Sequence, residues 1–314
     1  MKYKKFALLD SDTAHKSVTP NKNIAMITRL MPNKVHFASM LLTTFEKELS
    51  QHGYSLMIHI LQDNDIRSLA LPPTLDPQKI DAIICVELFD SEYSKMLCSL
   101  GKPVLFTDTF YEESHHDLSA DILMMENRYS ISKMVQGMIK RGVSRIGFVG
   151  DRYHCLSFYE RWEGFCHALA SSGLPVDESI CIIDNDALYW ENEWLANKIK
   201  DLSQLPEAFV CANDYLAVQL ITTLKKMNIE IPGNVMVCGF DNAPEASIID
   251  PPLTTVHIPC TEIGLLAAQK LLARIQNPKL PYEISYIRTQ IIFRESTEKK
   301  LPGGRAKSYD DTGT

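Results

Sequence analysis

Apolar positions along the chain alternate between two rhythms. Short, mostly apolar runs, the pattern of strands covered on both faces, begin at 24–27 and return at 54–61, 82–86, 103–106, 145–149, 180–183, 208–211 and 235–239. Between them, apolar residues recur at three- and four-residue spacing, which predicts amphipathic helices. Phe37, Met40, Leu41, Phe45 and Leu49 form one such stripe, and Ile131, Val135, Met138 and Ile139 another. Helices are also expected over 91–100, 157–172 and 260–276, and along Leu216, Ala217, Leu220 and Leu224. Gly53, Gly101, Gly142 and Gly173 each follow a stripe, where a left-handed residue commonly ends a helix. The polar, aperiodic stretch 10–23 reads as a linker, with order beginning at Ile24. The tail from Lys299, with Gly303-Gly304 and Asp310-Asp311, reads as disordered.

Alternating strands and helices imply parallel sheet, because parallel neighbours need crossover helices. The number of units exceeds what one compact sheet holds, so two sheets or lobes are expected. The chain has 314 residues and a net charge of −7. A general nucleic-acid binder carries a basic face; this chain as a whole does not, so any DNA contact would need a separate basic module. The 8 cysteines form no C-x-x-C pair and sit mostly in apolar runs, which points to reduced, buried thiols inside the cell. After Lys4-Lys5 the apolar run is only Phe6-Ala7-Leu8-Leu9, short of the roughly 7–15 residues of a secretory signal. No stretch approaches the ~18 apolar residues of a membrane span. A cytoplasmic protein is therefore expected.

In open α/β sheets, ligands bind beyond the carboxyl ends of strands. The residues there are Thr28 and Arg29, Thr107 and Asp108, Asp184 to Asp186 followed by Tyr189 and Trp190, Asn213 and Asp214, and Asp241 and Asn242. Arg161 lies shortly after the 145–149 run. Carboxylates and amides hold hydroxyl groups in fixed directions, an Arg fork takes two oxygens at once, and an aromatic face covers the apolar side of a sugar or base. Each Asp or Asn taken singly is more simply a helix N-cap; only the set converging on one cleft carries a binding site. No G-x-S-x-G elbow, phosphate loop, H-E-x-x-H or G-x-G-x-x-G is present, so no enzyme and no cofactor is expected. His115-His116-Asp117, beside Glu112-Glu113, reads as a solvated loop and not as a metal site.

Five further elements occur in order. They are Arg161-x-x-Gly164-Phe165, Ala212-Asn213-Asp214, Gly239-Phe240-Asp241, Asp250-Pro251-Pro252-Leu253-Thr254-Thr255-Val256 and Arg294-Glu295-Ser296-Thr297. Each is weak alone, but in this order and spacing the chain resembles the lactose-repressor/galactose-repressor (LacI/GalR) family of bacterial transcription regulators over about 24–297. The resemblance implies a type I periplasmic-binding-protein fold, two Rossmann-like parallel-sheet lobes joined by three crossing strands near 126, 258 and 286. The N-terminal lobe would be 24–126 plus 259–285, and the C-terminal lobe 127–257 plus 286–297. It implies a homodimer that binds a small effector between the lobes, a sugar or sugar phosphate first and a purine next. By position, Arg161, Asn213 and Asp241 match the family's main polar contacts, and Asp108 an N-lobe contact. Either Tyr189 or Trp190 falls at the place of a stacking aromatic. Arg29 and Phe37 complete the candidate effector-binding set.

Such regulators begin with a helix-turn-helix, and residues 1–23 resemble only the end of that module and its hinge helix. Asp10 stands near the hinge leucine position, where an acidic residue wedged between base steps would be costly. Operator DNA is thus expected only through an N-terminal module absent from this chain, by truncation or by loss. The rival reading is a solute-binding protein of a transporter or chemoreceptor, which shares the fold but needs an export signal or lipidated cysteine. An enzyme acting on a sugar or nucleoside is a second rival, without a nucleophile or metal cluster to support it.

Overall fold

A computed structural model describes residues 21–29, 37–184 and 188–298. The expected linker, except its last three residues, and the expected tail from Lys299 lie outside these. The chain opens with β1 (Asn23–Thr28), α1 (Phe37–Gln51), β2 (Ser55–Ile60), α2 (Asp63–Ser68), β3 (Ala82–Val86), α3 (Ser91–Cys98), β4 (Val104–Thr107) and β5 (Asp121–Met125). Next come α4 (Arg128–Ile139), β6 (Ile146–Val149), α5 (Leu156–Ser171), α6 (Asn192–Asp201), β7 (Ala208–Cys211), α7 (Asp214–Lys226), β8 (Met236–Cys238), α8 (Pro244–Ile248) and β9 (Thr255–His257). It closes with α9 (Cys260–Gln276), β10 (Ile284–Ile287) and β11 (Gln290–Ile292).

The strands form two parallel sheets. One has six strands in the order β10-β5-β4-β3-β1-β2 and the other three in the order β6-β7-β8. β3, β4, β5, β6, β7 and β8 are buried along their whole length, because helices cover both faces of a parallel sheet. The chain passes between the sheets three times. It leaves the first after β5, returns to it as α9 after β9, and leaves it again after β10, when β11 pairs antiparallel with β9. These passes are laced together: the Glu126 N–H donates to the Ile287 carbonyl at 2.7 Å, and the Thr289 hydroxyl to the Glu126 carbonyl at 2.8 Å. The fold is thus an α/β pair of parallel-sheet lobes.

Two expectations change. The apolar run 180–183 contributes a single bridge, Ile182 beside Val149, not a full strand. A short 3-10 turn over Glu178–Ile180 uses up its start. The stretch 112–117 is solvent-exposed at Glu112, Glu113, His116 and Asp117, as expected, but Glu113–Asp117 form a 3-10 turn that buries His115 against Phe110, with its Nδ1 2.7 Å from the Glu112 carbonyl. Among the described residues no helix is long and apolar enough to cross a membrane. All 8 cysteines are free, six of them buried.

Candidate effector site between the lobes

The carboxyl ends of both sheets face each other across a cavity of about 810 Å³. That lies in the upper part of the ~300–1,000 Å³ usual for small-molecule sites. The second sheet supplies one wall, through Arg161, Asn213 and Asp241. The first supplies the other, through Arg29 after β1, Gln62 to Asn64 after β2, Glu87 and Phe89 after β3, and Asp108 after β4.

Arg161 is the centre of the first wall. It is 3% exposed, on the second turn of α5. Its Nε donates to the Asn127 side-chain oxygen at 2.9 Å and its Nη1 to the Ala212 carbonyl at 2.7 Å. Nη1 also stands 3.5 Å from Asp241, and the guanidinium lies 3.7 Å from the centre of the Phe240 ring. A long side chain held at so many points has lost its rotamer freedom before any ligand arrives. Asn127 is held in turn, donating to Glu160, a fully buried carboxylate that also accepts from Tyr286 at 2.7 Å and pairs with Arg128. This chain of bonds joins the Arg161 wall to the first and third passes between the sheets.

The short motifs divide between facing the cavity and supporting it. Asn213 does both: its carbonyl oxygen caps α7 by accepting the Leu216 N–H at 2.9 Å, and its residue lines the cavity. Asp214 turns inward. It accepts from the Thr255 hydroxyl at 2.6 Å and the Ala243 N–H at 2.8 Å, so it ties three motifs together. Gly239 lies so close that a Cβ there would sit 2.3 Å from the Asp214 Oδ1. Gly164 lets α5 approach α4, since a Cβ would meet the Arg128 carbonyl at 2.5 Å, and Phe165 fills the core beneath Phe148. Ser296 and Thr297 pin the Leu253–Thr255 stretch: the Thr254 N–H donates to the Ser296 oxygen at 2.8 Å.

Burial dominates the electrostatics of this wall. It pushes the Asp214 carboxyl up to about 8 and the Asp241 carboxyl to about 6, against the pull of Arg161. Asp241 and Asp108 both hold positive φ, 116° and 70°, a costly backbone for residues with a Cβ and one that clusters at functional sites. Asp108 reaches across the cleft. Its carboxylate accepts the Ser157 hydroxyl at 2.5 Å and the Ser157 N–H at 3.2 Å, while the Leu156 N–H donates to the Thr109 carbonyl at 2.8 Å. An N-lobe carboxylate therefore caps a C-lobe helix.

The structure thus brings Arg161, Asn213, Asp241, Asp108 and Arg29 to one cavity. It does not bring Tyr189 or Trp190 there. Tyr189 is buried with its hydroxyl donating to the Ile182 carbonyl at 2.7 Å, and Trp190 is 62% exposed. Asn185 and Asp186 lie outside the described residues. Phe37 opens α1, and its side chain also lies outside them. The aromatic faces at the cavity are Phe89, Phe158 and His154, with His154 5.1 Å from Phe89 and 5.0 Å from Phe158. Phe89, Glu87 and Gln62 to Asn64 directly follow apolar runs, so the same strand-end rule carried to every strand finds them. Among the described residues no three His, Cys, Asp or Glu side chains gather as a metal site.

Residues 135–297 match the model of the periplasmic binding protein-like domain. The chain belongs to that family. Within it, the chain is a LacI/GalR-type effector-binding region, the ligand-sensing part of a transcription regulator. It is 28% identical over 272 residues to the HTH-type transcriptional repressor PurR of Vibrio parahaemolyticus, covering 84% of this chain and 78% of that protein. It is 27% identical over 263 residues to the NTD biosynthesis operon regulator NtdR of Bacillus subtilis, covering 83% and 78%. Its fold matches a solved complex of the transcriptional regulator CelR with cellobiose at a TM-score of 0.77 and 19% identity, covering 88% and 85%. The LacI/GalR motifs are, in this structure, the scaffold and one wall of a single interlobe cavity.

Proposed function

We propose that this LacI/GalR-type chain binds a small sugar-like effector between its lobes and passes the resulting closure to operator-binding heads through a homodimer. The observation that carries the reading is the convergence of Arg161, Asn213 and Asp241 with Asp108 and Arg29 on one enclosed volume. Hydroxyl-rich ligands suit carboxylates, an amide and a guanidinium fixed in direction, with Phe89 and Phe158 for the apolar ring face. The cellobiose bound in the CelR complex fits the same chemistry. The functional division is an N-terminal lobe of 24–126 plus 259–285 and a C-terminal lobe of 127–257 plus 286–297. Effector contacts made only when the lobes close shift the equilibrium between two states, by typically about 1–3 kcal/mol.

The dimer face we assign to the free edge of the six-stranded sheet. Among the described residues β2 ends that sheet, with Ile58 and Ile60 exposed on it and Met40 exposed on α1, and an apolar edge favours pairing. Ile58→Glu should move the chain to the monomer in sedimentation velocity. We read the cavity as a binding site, in keeping with the transcriptional regulators the chain is similar to. Free thiols suit the reducing cytoplasm.

The test is a thermal-shift screen of sugars, sugar phosphates and nucleobases, followed by calorimetry. A ligand at about 100 times its Kd adds roughly 2.7 kcal/mol to stability. Arg161→Ala and Asp241→Ala should each abolish the response; unchanged affinity in both would reject the cavity assignment.

A further inference from the structure

Glu160 precedes Arg161 on α5 and is fully buried. It backs the cavity wall without lining it. Its two oxygens divide their partners. Oε2 accepts from the Asn127 Nδ2 at 2.7 Å. Oε1 accepts from the Tyr286 hydroxyl at 2.7 Å and from Arg128. The Asn127 Nδ2 also donates to the Met125 carbonyl at 2.9 Å, which leaves the Asn127 Oδ1 to accept from the Arg161 Nε at 2.9 Å. Burial raises the Glu160 carboxyl, and the Asn127, Tyr286 and Arg128 donors oppose it.

An ionised carboxylate only accepts hydrogen bonds, and a guanidinium N–H only donates them. The Asn127 amide between them satisfies both in one orientation, with its nitrogen toward Glu160 and its oxygen toward Arg161. A glutamine at 160 meets a conflict either way round. With its oxygen toward Arg128 and Tyr286, its NH2 faces the Asn127 NH2; turned about, its NH2 faces the Arg128 guanidinium. Tyr286 belongs to β10 of the six-stranded sheet, where it pairs with Met124. α5 packs on the three-stranded sheet, through Phe165 against Phe148. The Tyr286–Glu160 bond therefore spans the two lobes, and its length follows any movement of one against the other.

We propose that Glu160 is a positioning residue for Arg161, acting through the Asn127 amide, and that the Tyr286 hydroxyl makes this positioning depend on how the two lobes sit. Arg161 is held toward the cavity while the Tyr286–Glu160 bond stands, and it loosens when that bond parts. The bearing on effector binding rests on the cavity being the effector site; the positioning itself is read without a ligand.

The experiment follows solvent exchange of the Arg161 Nε–H by nuclear magnetic resonance, on the full chain carrying isotope-labelled arginine and with no ligand added. Arg161→Lys identifies the signal by its loss. Glu160→Gln should speed that exchange about tenfold or more, the factor a hydrogen bond to a charged group is worth. Tyr286→Phe, which keeps the ring and removes only the hydroxyl, should speed it about threefold or more. Backbone amides of α4 and α5 should exchange as in the parent in both variants. Parent-like exchange at Arg161 in either variant overturns the proposal. So does a rise shared equally by those backbone amides, which would make Glu160 a support of the helix pair and nothing more. Where Glu160→Gln does not fold, by circular dichroism, Tyr286→Phe at its half-exposed position decides alone. A cavity that binds no effector leaves this measurement unchanged, so the two readings fall separately.

Discussion

The two walls of the cavity are built differently. On the C-terminal side Arg161 is buried and fixed by Asn127, Ala212, Asp241 and Phe240, with Asp214 and Gly239 packed behind. On the N-terminal side Arg29 and Asp63 form an ion pair with side chains 51% and 67% exposed. The first wall has surrendered its conformational freedom during folding, so a ligand meets donors already aimed. The second keeps side chains that water still solvates and that can adjust. Affinity should therefore depend on the C-terminal wall and adaptation to the ligand on the N-terminal wall.

The strongest way to break this contrast is Arg161→Lys. The ammonium keeps the charge, but it cannot reproduce a planar fork satisfying Asn127 and Ala212 together. Effector affinity should fall at least about tenfold by calorimetry. Gly239→Ala comes next. Its Cβ would strike Asp214, and overpacking of this kind costs roughly 1–3 kcal/mol, visible as a melting temperature several degrees lower.

Acidity sharpens the comparison further. Asp214 and Asp241 are pushed up to about 8 and about 6 when folded, from about 3.9 in a free chain. The folded state thus holds more protons than the unfolded one between those values, and stability falls as pH rises through that window. Asp214→Asn should remove the part of the fall between about pH 6 and 8, seen as a flatter melting temperature against pH; parallel curves for variant and parent would reject a raised Asp214.

The N-terminal wall should respond less. Arg29→Ala removes an exposed pair, worth at most about 1 kcal/mol, and should weaken binding only a few-fold. Trp190→Ala should be the mildest change, within about 0.5 kcal/mol in stability and silent in effector affinity. A marked loss there would return a stacking role to a side chain that the fold leaves on the surface.

Much of the fold was legible because parallel sheets write themselves as unbroken apolar runs. β3, β7 and α9 begin and end where the pattern places them. β5, with Asp121 at its start, was not read as a strand. Its polar end is held by the buried Arg274 from α9, at 2.8 Å, a partner 153 residues away that no local pattern reveals. The site divides in the same way. Arg161, Asn213 and Asp241, picked out by short motifs, line the cavity; Tyr189 and Trp190 do not, because Tyr189 packs inward onto the Ile182 carbonyl and Trp190 lies on the surface, placements that no local pattern fixes.

By itself the sequence determined the alternation of elements, the presence of two lobes and the polar residues ending the strands, since backbone pairing and burial constrain each short segment locally. Only the tertiary structure decided which of those residues meet. That Asp108 crosses the cleft to Ser157 and that Asp214 props the wall instead of lining it are consequences of segments distant in the chain being packed together. Contacts of that kind are set by the shape of the whole molecule.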